Sequence, residues 1–450
     1  MDDREEILEN LNELLKEKKY KIMSLELQEL NEFDIAMYLD ALDPEQVLVL
    51  FRMLPKDLSA DVFSEMDIDT QTRIVESFTA SELNQIVENL AMDDAVDMIE
   101  ELPANLVRKV LQAATADTRA VINQYLMYPD NSAGSIMTAE YIALKKWMNA
   151  RQALQYVREH AVDSETIYTL YVTSYTRELE GVVTLKDLVT ADPQTELADI
   201  MDDNIISAYT TEDQEDVAQT FNKYDLLALP VVDLENRVVG IITVDDMVDV
   251  IEQEATEDIE KMAALAPSEK PYLSTSVFEL AKNRIFWLLF LMISSMLTGY
   301  LLQKYEDAFT VVPLLVTFIP MMTGTGGNAG SQSATLVIRG MTVGDIRPAD
   351  FLKVWWKEIR VACLCGLVLA GVNFLRLSIQ YPGNFMVCLT VVLSMFGTIV
   401  IAKSIGCLLP IAAKLIHVDP AIMAAPLIST ILDACSLMLY FQLACIIIGL

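Results

Sequence analysis

Histidine is almost missing from this 450-residue chain, which has only His160 and His417, and no cysteine occurs before Cys363. Imidazole-rich transition-metal sites therefore have little to work with, and the front part can hold neither a disulfide framework nor a zinc knuckle. The opening MDDREEILENLNELL lacks both the basic start and the apolar stretch of a secretory signal, so the front part is expected in the cytoplasm. Basic residues are scarce where acidic ones are dense. Of 65 Asp and Glu, 58 precede residue 283 against 22 Lys and Arg, a local charge of −36, whereas residues 283–450 hold 7 acidic and 10 basic side chains. Such a balance excludes nucleic acid as a partner and points to cations. No P-loop, His cluster or nucleophile with its base is present, which argues against an enzyme. Many carboxylates with few imidazoles suit hard ions such as Mg²⁺ or Ca²⁺.

What is abundant in the front part is a repeat. Apolar residues recur every twelve positions at Leu42, Leu54, Met66, Phe78, Leu90 and Leu102, each opening a unit with turn chemistry first and a helical apolar pattern after. Helices this short are not stable alone and are expected to stack into a superhelix. Most acidic residues there suit a solvated outer face. In MDDAVDMIEE, however, Asp93 and Asp97 stand four apart on one helical face, where like charges repel unless a cation intervenes.

Two later segments answer each other: SIMTAEYIAL, IYTLYVT and GVVTLKDLV within 135–189, and DIMDDNIISAY, LALPVVD and GIITVDDMV within 199–248. Each set predicts a strand, a helix, two β-rich runs and a closing helix. They resemble a tandem pair of cystathionine-β-synthase (CBS) domains, which often bind adenine nucleotides. The matching Thr/Asp signature falls on Thr184 with Asp187 and on Thr243 with Asp246. Residues 244–267 then predict one long helix with apolar positions at Val248, Ile251, Ala255, Ile259 and Met262 and eight acids against Lys261. It is either a solvated connector or a cation-binding helix.

Hydropathy gives five spans, 285–302, 310–337, 361–379, 385–411 and 421–449, each near the ~20 residues that cross the hydrocarbon core. Basic residues between the second and third spans place that connection, and the front part, in the cytoplasm, with the carboxyl terminus outside. In the second span Pro320, Gly324, Gly326, Gly327 and Gly330 are expected to break the helix, beside Thr323, Thr325, Asn328, Ser331, Gln332 and Thr335. Close packing through small residues also explains the glycines. Asp433 is a lone carboxylate in the last span, where an ion costs about 2.5–3.5 kcal/mol on insertion scales. Either it pairs with Arg376 or Lys403, the charges seen within the spans, or it faces a cavity that a hydrated divalent cation passes.

GTGGNAGSQSATLVIRG and DPAIMAAPLISTILD closely resemble the MgtE family of bacterial magnesium transporters, and the order of segments matches over essentially the whole chain. The resemblance implies a multidomain membrane protein: an α-helical superhelical N domain (1–132), α/β CBS domains (133–198 and 199–250), an acidic plug helix (251–275) and a five-helix transmembrane domain (276–450). It implies a homodimer embedded in membrane lipid, with Asp433 and Asn328 in the pore. Regulatory Mg²⁺ positions match Asp61, Asp93, Asp97, Glu215, Asp225, Asp246, Asp249, Glu254, Glu257, Asp258 and Asp419. Nucleotide, ATP included, is expected at Thr184 and Asp187. The expected function is a Mg²⁺-selective, channel-like uptake system of the plasma membrane, closed by intracellular Mg²⁺. The alternatives are transport of Mn²⁺ or Co²⁺, or a membrane-anchored nucleotide or cation sensor.

Overall fold

A computed structural model describes residues 2–267, 272–273, 275–306, 311–423 and 425–449. The chain forms two compact units that meet between Val250 and Ile251, and each is described by itself.

The first unit begins with α1 (Asp2–Lys16), α2 (Tyr20–Leu27), α3 (Glu32–Asp40), α4 (Pro44–Phe51), α5 (Lys56–Ser64), α6 (Ile68–Ser77), α7 (Ala80–Val87), α8 (Met92–Glu101), α9 (Ala104–Ala113) and α10 (Ala116–Tyr125). From α2 onward each helix starts twelve residues after the last, so the repeat reaches beyond both ends of the stretch read from sequence. The period is written in the caps. Asn31, Thr79 and Thr115 accept a backbone N–H at the start of α3, α7 and α10, and Pro44 enters α4 at its first turn. Helices pack on their second neighbours, α3–α5–α7–α9 in one column and α2–α4–α6–α8–α10 in the other. Leu54, Met66, Phe78, Leu90 and Leu102 are all buried between them.

Two three-stranded sheets follow. One contains β1 (Ala143–Leu144), β2 (Thr169–Thr173) and β3 (Leu179–Thr184), with α11 (Ala150–His160) after β1 and α12 (Leu185–Thr190) after β3. After the short α13 (Leu197–Ile200), the other contains β4 (Ala208–Tyr209), β5 (Ala228–Val232) and β6 (Val238–Thr243), with α14 (Gln214–Tyr224) after β4 and α15 (Val244–Met262) after β6. In each the first pair is parallel and the second antiparallel, and an irregularity falls at the matching place, Val172/Thr173 and Val231/Val232. The two CBS-type halves are thus structural repeats. Only the second shares a continuous core with the helical columns, while the first has its own around Leu144, Val172 and Val183.

The acidic helix differs from its sequence reading at two points. It ends at Met262, before Pro267, where Ala264 turns left-handed (φ 56°). Its apolar stripe is also displaced: Met247 and Val250 are buried, whereas Val248, Ile251 and Ile259 are exposed in the single chain. Within the expected plug segment, residues 268–271 and 274 lie outside the described residues.

In the second unit the long helices are α16 (Val277–Lys304), α17 (Ile319–Thr342), α18 (Phe351–Gln380), α19 (Phe385–Leu415) and α20 (Ala425–Ile448). Residue 310, where the second span was expected to begin, lies outside the described residues. Among those described, four helices are long and apolar enough to cross a membrane: α16, α18 with the short turn before it, α19, and α20 with its own preceding turn. The fifth, α17, falls short through its polar side chains. The expected break at its glycines is not there. A 3₁₀ helix occupies Pro313–Phe318 instead, Pro320 sits in the first turn of α17, and α17 runs unbroken to Thr342. The glycines serve contact: a Cβ on Gly326 would stand 2.5 Å from Ser436 Oγ, one on Gly330 2.1 Å from Leu432, and one on Gly406 of α19 2.3 Å from the Gly330 carbonyl oxygen. Packing overrides propensity here.

Candidate ion path and cation clusters

Asp433 is half-buried on α20, and among the described residues it makes no hydrogen bond or ion pair. The pairing considered from sequence is overturned. Arg376 Nε donates to Asn373 Oδ1 at 3.1 Å and its guanidinium lies by Met321 Sδ, while Lys403 Nζ donates to Ser333 Oγ and reaches Glu358 Oε2 at 3.5 Å. Asp433 shares a helical stripe with Ser429 and Ser436, and those two face Gly327 and Gly326 of α17. The lone acid is therefore flanked by two of the close contacts that α17 makes with α20.

On α17, Thr325, Asn328, Gln332 and Thr335 fall at helical spacing, and the last three are exposed in the single chain. None of the four makes a side-chain hydrogen bond among the described residues. A polar stripe left open on a membrane helix has to meet water or protein, since lipid satisfies no hydrogen bond. Asn328 and Asp433 are not bonded to each other.

Three of the expected regulatory carboxylates come together in the first unit. Asp93 and Asp97 of α8 lie near Asp246 at the start of α15, with Asp94 and Glu165 close by. Burial, then the charge of Asp246, pushes the Asp93 carboxyl up to about 7. Burial and the neighbouring Asp93 do the same for Asp94, also to about 7. Burial of its carboxyl and the nearby Asp93 raise Asp97 in the same direction, although the residue as a whole is exposed. Asp93 Oδ1 is buried with no hydrogen-bond partner, an orphan acceptor that needs an explanation. Among the described residues no three His, Cys, Asp or Glu side chains converge tightly enough to hold a bare ion.

The other expected positions are more scattered. Asp61 and Asp249 are exposed, Glu215 sits in the first turn of α14, and Asp225 caps that helix in the left-handed region (φ 50°). Thr184 Oγ1 donates to Asp187 Oδ2 at 2.5 Å in a capping box that opens α12, and Thr243 makes the same bond to Asp246. These pairs are helix starts before they are anything else.

In the second unit, Lys261 near the end of α15 donates to Glu257 Oε1 at 2.7 Å and to Asp419 Oδ2 at 2.6 Å. Burial opposes the ammonium, but these bonds outweigh it and hold its pKa above the usual value. The N–H of Ala421 donates to Asp419 Oδ1, and Thr342 Oγ1 donates to Asp258 Oδ2. Burial, then Asp419, raises the Asp258 carboxyl. Lys261 was read from sequence only as the one base of an acidic helix, Asp94 and Glu165 were not named, and the bonding of Ser333, Glu358 and Lys403 to one another was not foreseen. Asp94 alone had a signal, lying inside the acidic cluster already noted.

Comparison with known proteins follows the same division. Residues 319–443 match the profile described as a divalent cation transporter, MgtE, residues 30–131 the MgtE intracellular N domain, and residues 197–253 a CBS domain. The magnesium transporter MgtE of Thermus thermophilus is 34% identical over 98% of this chain and 98% of its own, and that of Bacillus subtilis 32% over 91% and 93%. The chain belongs to the MgtE family. As an MgtE protein it is a membrane transporter of Mg²⁺ with a cytosolic amino-terminal part, and its family is one of transporters, not enzymes. Among solved structures, the soluble part of a magnesium transporter (32% identity, 56% of this chain and 99% of that one, TM-score 0.53) is similar to it. So is the cytosolic domain of the Mg²⁺ channel MgtE in complex with ATP (35% identity, 54% and 99%, TM-score 0.52).

Proposed function

We propose that two copies of this chain form a Mg²⁺-selective, channel-like path in the plasma membrane that intracellular Mg²⁺ closes. The observation that carries the reading is Asp433, an intramembrane carboxylate with no counter-ion among the described residues, beside a helix whose open polar stripe includes Asn328. One or two carboxylates with hydroxyl and amide partners suit an ion that keeps most of its waters. A second copy over the stripe supplies the cover that lipid cannot. Domain limits of 1–132, 133–198, 199–250, 251–275 and 276–450 fit this division of labour, and the separation at Val250 supports one of them.

The gate rests on the carboxylates. Asp93, Asp97 and Asp246 bind Mg²⁺ together, relieving the repulsion and the orphan oxygen of Asp93. Asp61, Glu215, Asp225 and Asp249 add sites in the cytosolic part, and Glu254, Glu257, Asp258 and Asp419 add them at the pore mouth. Each is weak alone, and together they make closure steep. ATP is a further ligand at Thr184 and Asp187, in keeping with the ATP complex of the similar channel domain.

Flux into vesicles that hold the purified full chain tests the reading, with Mg²⁺, Mn²⁺ and Co²⁺ compared. Asp433→Asn is expected to abolish Mg²⁺ entry while the dimer stays intact. Undiminished entry sinks the pore assignment, and preference for Mn²⁺ or Co²⁺ changes the cargo.

A further inference from the structure

Ser333 of α17, Glu358 of α18 and Lys403 of α19 meet inside the helical bundle of the second unit. Ser333 Oγ donates to Glu358 Oε2 at 2.6 Å, and Lys403 Nζ donates to Ser333 Oγ at 3.1 Å and reaches Glu358 Oε2 at 3.5 Å. The serine is 0% exposed, and the lysine and glutamate side chains 7% and 14%. Three helices are thus tied by one hydroxyl that accepts from one and donates to another.

Stability alone is a poor reason for such a group. A buried ion pair repays its desolvation only with good geometry, and apolar replacements of similar volume are often neutral or better. Its best-attested use is to specify one arrangement among several. The neighbouring contacts show which arrangement. One turn from Ser333, α17 and α19 touch backbone to backbone at Gly330 and Gly406. A smooth contact of that kind sets how far apart two helices lie but leaves sliding and rotation open, whereas directional bonds close both. Two turns before Ser333, the same α17 seats Gly326 and Gly327 against Ser436 and Ser429, the residues flanking Asp433.

We propose that Ser333, Glu358 and Lys403 are positioning residues for permeation: their bonds fix the height and rotation of α17, and so the shape of the polar surround at Asp433. This rests on Asp433 lining the ion path. The three touch no ion themselves and act through the glycine face of α17.

The test is flux through the full chain in vesicles, as half-saturating Mg²⁺ and as the Mg²⁺ to Co²⁺ rate ratio, alongside dimer elution and thermal unfolding. Two variants limit misfolding: Ser333→Ala, which deletes one oxygen, and the double Glu358→Gln with Lys403→Met, which leaves no lone charge. Indirect partners of ion-binding groups cost roughly 10- to 100-fold in ion affinity when removed. The half-saturating Mg²⁺ is therefore expected to rise about tenfold in Ser333→Ala and in the double variant, with a changed Mg²⁺ to Co²⁺ ratio and unfolding near wild type. Wild-type values of both quantities in the double variant overturn the proposal. Flux that falls only in step with the amount of folded dimer, at an unchanged ratio, overturns it equally. Asp433→Asn runs in parallel: if it conducts normally, the pore reading has failed, whatever the other variants do.

Discussion

Burial leaves Asp93 and Asp94 with carboxyl pKa values of about 7, against 3.8 for an ordinary aspartate. Because the folded values are raised, the folded state holds more protons than the unfolded chain between those limits. Stability is therefore lost as pH climbs from about 4 to about 7, and the loss is complete above 7. Asp246 and Glu165 are raised too, by burial first, and act in the same direction. In metal-free buffer the cytosolic part of the full chain is expected to unfold at a lower temperature at pH 8 than at pH 5, and added Mg²⁺ should remove most of the difference by standing in for the protons. A thermal midpoint that ignores pH, or a drop that Mg²⁺ leaves untouched, contradicts a divalent site there. In the bundle, Asp433 was legible from sequence because one acid in an apolar run has no ordinary explanation.

At the scale of elements, α15 ends in an ammonium clasped by Glu257 of its own helix and by Asp419 ahead of α20. Lys261 is thus a built-in cation between two carboxylates assigned to Mg²⁺. Lys261→Met should leave that junction for a free ion to bridge, so closure is expected at several-fold higher internal Mg²⁺; a lower threshold would mean that the lysine competes with the ion. Sequence could not show this, because Lys261 and Asp419 are 158 positions apart. The bonded trio of Ser333, Glu358 and Lys403 was hidden for the same reason, and Glu358 also fell outside the span assigned to α18. The glycines of α17 were visible yet misread. Glycine lowers helix propensity, but tight neighbours at Ser436, Leu432 and Gly406 reward its missing side chain more. The columns of the first unit, by contrast, were readable, since their caps and buried positions repeat locally.

For the whole molecule, acidity and apolarity are segregated along the chain, −36 before residue 283 and +3 after it. A body so negative repels itself when compact, and counter-ions that accumulate on it offset that repulsion. The spacing of helix starts carries a separate consequence. Because each helix leans on its second neighbour, the stack has a parity, like courses of brick laid alternately left and right. Duplicating the 24 residues of α4 and α5 should lengthen the pile and leave every helix in its own column, whereas duplicating only the twelve of α4 should send α2 and α3 to the opposite side, against surfaces shaped for others. Thermal unfolding of the two insertions separates the cases. A marked drop is expected for twelve and little change for 24, so evolution can extend this arm only in pairs.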